Sequence, residues 1–167
     1  MNFLKNFNKP VIVAELGLSH DGSMGNCLKM IDQCKKSGAD IVKFQIHFAE
    51  EESTLDEKFR IKFSVADKTR YEYWKRTSCT QNQWKKIFNY CKKKNIKFLA
   101  SIFSIKAFNM LYSLGVRCFK ISSGEIHNNE ILNILIRKKC ELIISNGLIG
   151  EVQLNRLIRK LRRNKIK

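Results

Sequence analysis

The chain alternates short, apolar, β-branched runs with longer segments whose apolar residues recur at helical spacing. The five apolar runs lie at 11–16, 41–46, 96–102, 118–122 and 142–145. The helical segments follow them at 26–37, 80–94, 104–114, 128–137 and 151–163. This alternation predicts a parallel sheet, because successive parallel strands need a helical crossover between them. An open doubly wound sheet and a barrel both satisfy the pattern.

The length of the chain limits how much of a barrel it can form. A complete eight-fold barrel takes about 250 residues, whereas this chain has 167. The predicted fold class is therefore α/β, an incomplete (β/α)8 TIM-type barrel with about five β/α units. Residues 47–79 form a long insertion in which 71–75 is the one predicted helix. Hydrophobic residues make up 44% of the chain, which excludes a largely disordered protein.

The chain is strongly basic, with a formal net charge of +17. The basic residues are widely spread and include the segment 159–167. A solvated basic surface is the favoured interpretation, and a nucleic-acid or anionic-surface role for the tail is the alternative. No apolar run reaches the roughly 18 residues of a membrane span, and residues 1–10 lack a signal-peptide core. A cytoplasmic location without a membrane partner is therefore expected.

Cysteine usage agrees with a reducing compartment. The six cysteines are Cys27, Cys34, Cys79, Cys91, Cys118 and Cys140. None of them forms a C-x-x-C pair or has zinc-finger spacing to a histidine. Reduced, buried thiols are the favoured interpretation, and a disulfide framework or a zinc site is the alternative.

Polar side chains interrupt the predicted strands near their carboxyl ends, where buried parallel strands should be continuously apolar. The interruptions are Glu15, Lys43, Gln45, Ser101, Lys120 and Ser145, and Ser122, Ser123 and Glu125 follow the fourth run. Lys43 and Gln45 are two residues apart and share one face of their strand. If both point to the barrel axis, residues 42, 44 and 46 point to the helices.

The two lysines favour an anionic ligand at this end of the strands. An unpaired buried ammonium group is costly, so Lys43 and Lys120 each need an anionic partner. Barrel enzymes keep their active sites at the carboxyl ends of the strands, and a ligand carrying phosphate and carboxylate groups would suit this site. The alternative is a structural ion pair between Glu15 and Lys43. His20 and His47 lie in β–α loops and could be ligand contacts or scaffold, whereas Trp74 and Trp84 are expected to pack.

Six segments resemble motifs of the sialic acid synthase (N-acetylneuraminate synthase) family, in the same order. Residues 14–22 (AELGLSHDG) resemble the family's A-E-I-G-x-N-H-x-G opening, and 38–45 (GADIVKFQ) resemble its G-A-D-x-V-K-F-Q segment. The others are 71–77 (YEYWKRT), 98–104 (FLASIFS), 119–125 (FKISSGE, family Y-K-I-x-S-G-E) and 143–148 (IISNGL, family I-L-S-T-G-M). The match is specific because of the number and order of the segments.

The resemblance implies a (β/α)8 barrel that condenses phosphoenolpyruvate with an N-acylhexosamine such as N-acetylmannosamine, releasing phosphate. A divalent metal, manganese or magnesium, activates the sugar aldehyde in such enzymes. By the same resemblance, Lys43 and Lys120 bind phosphoenolpyruvate together with Ser101, Ser123 and Ser145. Gln45 and Glu15 face the sugar, and Glu125 is the acid–base candidate, with Glu15 also in the catalytic set.

The chain departs from the family pattern at several positions. Ser19 replaces Asn, Ile102 replaces the Pro that follows the hydroxyl residue, and Asn146 and Leu148 replace Thr and Met. The family's metal-binding histidines, later barrel strands and antifreeze-like domain lie beyond residue 167. Residues 1–167 are therefore predicted to be the N-terminal portion of the barrel domain, without the family's metal ligands.

Three functional hypotheses follow. The chain is part of a sialic-acid-type synthase, completed by a second polypeptide or by a homo-oligomer. Alternatively, it is a non-catalytic truncated fragment of such a synthase, or a basic anion- or nucleic-acid-binding module, with nucleic acid the less expected ligand. Unpaired edges at 11–16 and 142–145 favour self-association, which sedimentation measurements would test.

Overall fold

The computed structural model describes residue 3 and residues 9–166. The strands are β1 (Val13–Gly17), β2 (Ile41–Ile46), β3 (Lys97–Ile102), β4 (Cys118–Ile121) and β5 (Glu141–Ile144). The helices are α1 (Met24–Lys36), α2 (Ala49–Glu52), α3 (Arg70–Thr77), α4 (Gln81–Lys93), α5 (Ile105–Ser113), α6 (Asn129–Arg137) and α7 (Glu151–Arg163). A single 3₁₀ turn, Ser123–Glu125, follows β4.

The sheet has the strand order of a barrel wall. Its five strands are parallel and lie in the order β1-β2-β3-β4-β5, so each strand pairs with the next one along the chain. A doubly wound sheet would instead reverse its strand order and cover both faces with helices. The predicted partial TIM-type barrel is confirmed. β2 and β3 are in register along their whole length, whereas β3 and β4, within the described strands, are in register at the pair Ser101 and Lys120.

The two faces of the sheet carry different side chains. Val42, Phe44 and Ile46 lie in the main hydrophobic core together with buried residues of α1, α4, α5 and α6. Phe44, for example, contacts Trp84 of α4 with ring centroids 5.6 Å apart. The opposite face of the sheet has a small cluster of Ile41, Leu99 and Cys118. The alternation predicted for β2 is thus observed, and Lys43 and Gln45 lie on the face away from the helices.

Five helices, α1, α3, α4, α5 and α6, begin at a capping side chain. Ser23 accepts a hydrogen bond from the backbone N–H of Asn26, so α1 begins two residues before the predicted start. The predicted capping box at α4 is present. The Gln83 N–H donates to Thr80 Oγ1 at 3.3 Å, and the Thr80 N–H donates to Gln83 Oε1 at 2.7 Å. Such a cap stabilises a helix by about 1 kcal/mol.

The insertion between β2 and α4 holds two helices rather than one. The predicted helix at 71–75 corresponds to α3, and α2 was not predicted. Glu52 lies in α2 and accepts a hydrogen bond from the Phe48 N–H at 2.8 Å, which stabilises this short helix. In the described part of the chain, no helix has both the length and the apolar character needed to cross a membrane.

Candidate functional site

A bulge at the end of β1 brings two of the predicted site residues together. Glu15 is in register with Lys43, and Gly17 with Phe44, so the ladder slips by one residue between them. Gly17 has a φ of 52°, a conformation that glycine adopts without steric cost. A Cβ at Gly17 would lie 3.6 Å from Glu15 Oε1 and 3.7 Å from Gln45 Oε1. The bulge therefore places side-chain oxygens of Glu15 and Gln45 close to Gly17.

Lys43 is held by two partners at the mouth of the strands. Lys43 is 8% exposed. Its Nζ forms an ion pair with Glu15 and donates a hydrogen bond to Ser101 Oγ at 3.1 Å. The ion pair between Glu15 and Lys43, which was the structural alternative to an anion-binding site, does form. The Glu15 side chain is nevertheless 54% exposed, so the pair lies at the open end of the strands and its carboxylate can be reached from solvent.

Lys120 has neutral partners. Its Nζ donates to Ser145 Oγ at 2.6 Å and to the Ile121 carbonyl at 2.8 Å. Burial lowers the pKa of Lys120, and the nearby charge of Lys43 lowers it further. Among the described residues, no ion pair includes Lys120. The Glu15 carboxylate is thus paired with Lys43 and not with Lys120, and the local excess of positive charge suits an anionic ligand.

An open cleft of about 970 Å³ adjoins these residues. Gln45 and Glu125 line it, together with Ser122. Glu125 ends the 3₁₀ turn after β4, and its carboxylate accepts a hydrogen bond from Asn128 Nδ2 at 2.9 Å. The cleft therefore presents an amide, a carboxylate and a hydroxyl at the carboxyl ends of β2 and β4.

Ser123 begins the same 3₁₀ turn. Its Cβ would lie 3.9 Å from a Cβ placed at Gly147, in the segment after β5. Ser123 and Ser145 therefore both belong to the mouth of β4 and β5. The structure brings the predicted site residues to one end of the sheet, but their roles stay predictions.

His47 forms part of the cleft wall, and its partners were not predicted. Its Nδ1 lies 2.6 Å from Glu52 Oε2, and its ring stacks between Trp74 and Phe103 at centroid distances of 4.7 and 4.1 Å. Trp74 was expected to be a packing residue, but it also lines the cleft, as do Glu52 and Phe103. Because Glu52 engages Nδ1, Nε2 is the ring nitrogen left for a ligand.

Among the described residues, no group of three or more side chains has the oxygen ligands that suit the metal implied by the family resemblance. Manganese and magnesium prefer oxygen ligands. Among the described residues, the one group of three or more histidine, cysteine or acidic side chains whose ligand atoms can meet is His20, Cys27 and Cys79. Sulfur and nitrogen donors do not fit these metals, and His20 packs on Phe44 and Trp84, on the helix side of the sheet. No reaction step is therefore assigned to a metal on the residues described.

One family model and several known proteins match most of this chain. The model of the NeuB family matches residues 30–167. The chain is 32% identical to the N,N'-diacetyllegionaminic acid synthase of Campylobacter jejuni, over 87% of this chain and 45% of that protein. It is 31% identical to the N-acetylneuraminate-9-phosphate synthase of Mus musculus, over 82% of this chain and 39% of that protein. The chain thus spans less than half the length of these relatives.

The fold comparison points to the same group of proteins. The crystal structure of the N-acetylneuraminic acid (sialic acid) synthetase from Leptospira borgpetersenii, in complex with citrate, superposes with a TM-score of 0.80. The two chains are 27% identical, and the superposition covers 99% of this chain and 56% of that one.

Proposed function

The chain belongs to the NeuB family, whose synthases are transferases that form carbon–carbon bonds, and on that premise we propose that it is the phosphoenolpyruvate-binding part of a nonulosonate synthase. The proposed reaction joins phosphoenolpyruvate to an N-acylhexosamine, such as N-acetylmannosamine, and releases phosphate. The observation that carries the proposal is the pair of lysines at the strand ends, each hydrogen-bonded to a serine. Lys43 donates to Ser101 of β3, and Lys120 donates to Ser145, directly after β5.

The lysines supply the charge that phosphoenolpyruvate requires. In the proposed complex, Lys43 and Lys120 bind the phosphate and carboxylate groups, and Ser101 and Ser145 fix the two ammonium groups. Because Glu15 already neutralises part of the charge on Lys43, Lys120 is the stronger electrostatic attraction for the ligand. Ser123, in the turn after β4, would donate a further hydrogen bond.

The cleft beside the lysines is the proposed sugar site. Gln45 and Glu15, whose side-chain oxygens lie close to Gly17, would bind the sugar. In the condensation, C3 of phosphoenolpyruvate bonds to the aldehyde carbon, the aldehyde oxygen gains a proton, and water adds at C2 as the C–O bond to phosphate breaks. Positive charge develops at C2, so a carboxylate near that carbon stabilises it and can accept a proton from the attacking water. Glu125 has this role in the proposal.

The proposed small-molecule partners are phosphoenolpyruvate and an N-acylhexosamine. The proposed protein partner is a second copy of the chain or another polypeptide. The proposed location is the cytoplasm. Because the synthases of the family use a divalent metal, we expect the complete enzyme to need Mn²⁺ or Mg²⁺, bound by residues other than those described here. The identity of the amino sugar stays open between N-acetylmannosamine and related 2,4-diamino or 6-deoxy sugars.

Titration calorimetry with phosphoenolpyruvate tests the proposal directly. The 167-residue chain is titrated with phosphoenolpyruvate, then with the ligand plus Mn²⁺, and phosphate release is measured with a panel of N-acylhexosamines. Saturable binding supports the proposed site, and phosphate release with one sugar identifies a competent synthase. Absence of binding by a folded sample contradicts the proposal and leaves a non-catalytic fragment. Binding of arbitrary DNA that weakens steeply with salt would instead favour the nucleic-acid hypothesis.

A further inference from the structure

One histidine and two cysteines from three separate segments meet on the helix side of the sheet. His20 lies in the turn after β1, Cys27 in the first turn of α1, and Cys79 in the link between α3 and α4. A ring nitrogen of His20 and the Sγ atoms of both cysteines all lie within 4.8 Å of one another. We propose that these three residues form a buried site for a thiophilic metal ion, Zn²⁺ or Cu⁺.

The cluster is closed to solvent and contains an unpartnered nitrogen. His20 and Cys27 are fully buried, and Cys79 is 3% exposed. Nε2 of His20 is the buried side-chain nitrogen or oxygen that has no hydrogen-bond partner in the described part of the chain. Buried polar atoms are normally paired, so an unpaired nitrogen on an imidazole ring that lies against two thiols points to a missing ligand. A metal ion bound to Nε2 would give this atom its partner.

The donor set selects the type of ion. Thiolate and imidazole ligands favour Zn²⁺ and Cu⁺ over the hard cations Mg²⁺ and Mn²⁺. Two thiolates and one neutral imidazole compensate the charge of a divalent ion completely. The occupied zinc site therefore adds no net charge to the aromatic surroundings formed by Phe44 and Trp84, where a buried charge would be costly.

Metal binding would move protons on the three ligands and change one hydrogen bond in the turn between β1 and α1. Nδ1 of His20 accepts a hydrogen bond from the Gly22 N–H at 3.1 Å, which leaves the proton of the neutral ring on Nε2. On binding, both thiol protons are released and the ring proton moves from Nε2 to Nδ1. The Gly22 N–H must then give up its acceptor.

The site is separate from the proposed reaction. It lies behind β2, against Phe44, whereas Lys43 and Gln45 are on the opposite face of that strand. Its failure would leave the phosphoenolpyruvate proposal intact, and the reverse also holds. The proposed role is structural, because the ion would join the β1–α1 turn to α1 and to the segment that connects α3 with α4.

The experiment uses the reduced, metal-free 167-residue chain and Co²⁺ as a spectroscopic probe for Zn²⁺. We expect one ion per chain, a thiolate-to-cobalt charge-transfer band, loss of that band on adding Zn²⁺, and release of two protons per ion. Anaerobic titration with Cu⁺ against a Cu⁺ chelator tests the second ion. Cys27→Ala and Cys79→Ala should abolish the cobalt band. Cys118→Ala, a buried cysteine on the other face of the sheet, is the matched control and should retain it.

The proposal is overturned if the folded wild-type chain binds neither ion, or if Cys118→Ala loses the band to the same extent as Cys27→Ala. A measurement on the wild type covers the case in which the variants do not fold. Zn²⁺ should protect Cys27 and Cys79 from alkylation, identified by peptide mass mapping, and should leave the other four cysteines unchanged. With enough reagent and time for both cysteines to react in the metal-free chain, equal alkylation after addition of Zn²⁺ would also overturn it. In NMR spectra, the Gly22 amide resonance should shift on loading.

Discussion

Replacement of Lys120 by methionine tests whether the strand ends bind a phosphate-bearing anion. Lys120 is partly buried, and its ammonium group is held 2.6 Å from Ser145 Oγ. A hydrogen bond to a charged group contributes about 1.5–3 kcal/mol, and about 1.4 kcal/mol corresponds to a factor of ten in affinity. We therefore expect Lys120→Met to raise the Kd for phosphoenolpyruvate about 10- to 150-fold.

The assay is titration calorimetry at fixed ionic strength, with circular dichroism to confirm that the variant is folded. Lys138→Met is the matched control, because Lys138 is an exposed lysine beyond α6 and its loss changes the net charge by the same amount. Wild-type affinity in folded Lys120→Met would refute the assignment. Equal weakening by Lys138→Met would show that the overall charge, and not the strand ends, attracts the ligand.

A second substitution in the same assay should act in the opposite direction. Glu15 pairs with Lys43 and faces solvent, so its carboxylate competes with the ligand for that ammonium group. Glu15→Gln removes the competing charge and keeps the size of the side chain. Phosphoenolpyruvate should therefore bind this variant at least as tightly as the wild type, and a marked loss of affinity would mean that Glu15 contributes to the anion site directly.

Two further predictions follow from the same geometry. Burial and the charge of Lys43 lower the pKa of Lys120, so Lys120 loses its charge at a lower pH than an ordinary lysine. The affinity for phosphoenolpyruvate, measured by calorimetry, should therefore decline as the pH rises through that lowered pKa. Lys120→Met should not show this decline. Gly17→Ala should lower the free energy of unfolding in urea by about 1–2 kcal/mol because φ is positive there, whereas Gly25→Ala in α1 should not lower it.

Features that depend on local periodicity were predictable from the sequence. A strand places alternate side chains on opposite faces, so the sequence around Lys43 and Gln45 was sufficient to separate the inner face from the helix side. The Thr80 and Gln83 capping box was predictable for the same reason, because its atoms belong to neighbouring residues. The start of α1 differs from the prediction by two residues, because the Ser23 cap precedes the apolar residues whose spacing predicts the helix.

Features that depend on contacts between distant segments were not predictable. The contact between His47 and Glu52 could not be predicted, because the segment after β2 has no clear periodicity. The helix that carries Glu52, α2, depends on the hydrogen bond from the Phe48 N–H to the Glu52 carboxylate. Cys27 and Cys79 are far apart in sequence, and rules for metal sites rely on short spacings. Their approach to His20 results from the packing of α1 and α4 on the same sheet.

Between the described residues of β3 and β4, one pair is in register, Ser101 and Lys120, and this short pairing has a mechanical consequence. It marks the boundary between β2 and β3 on one side, with Lys43, and β4 and β5 on the other, with Lys120. Local opening of the sheet at this boundary would pull the two ammonium groups apart. Backbone amides of β4 and β5 should then exchange with solvent sooner than those of β2, which is in register with β3 along its length. An anion held by both lysines would bridge the boundary and slow that exchange, so ligand affinity and local stiffness would rise together.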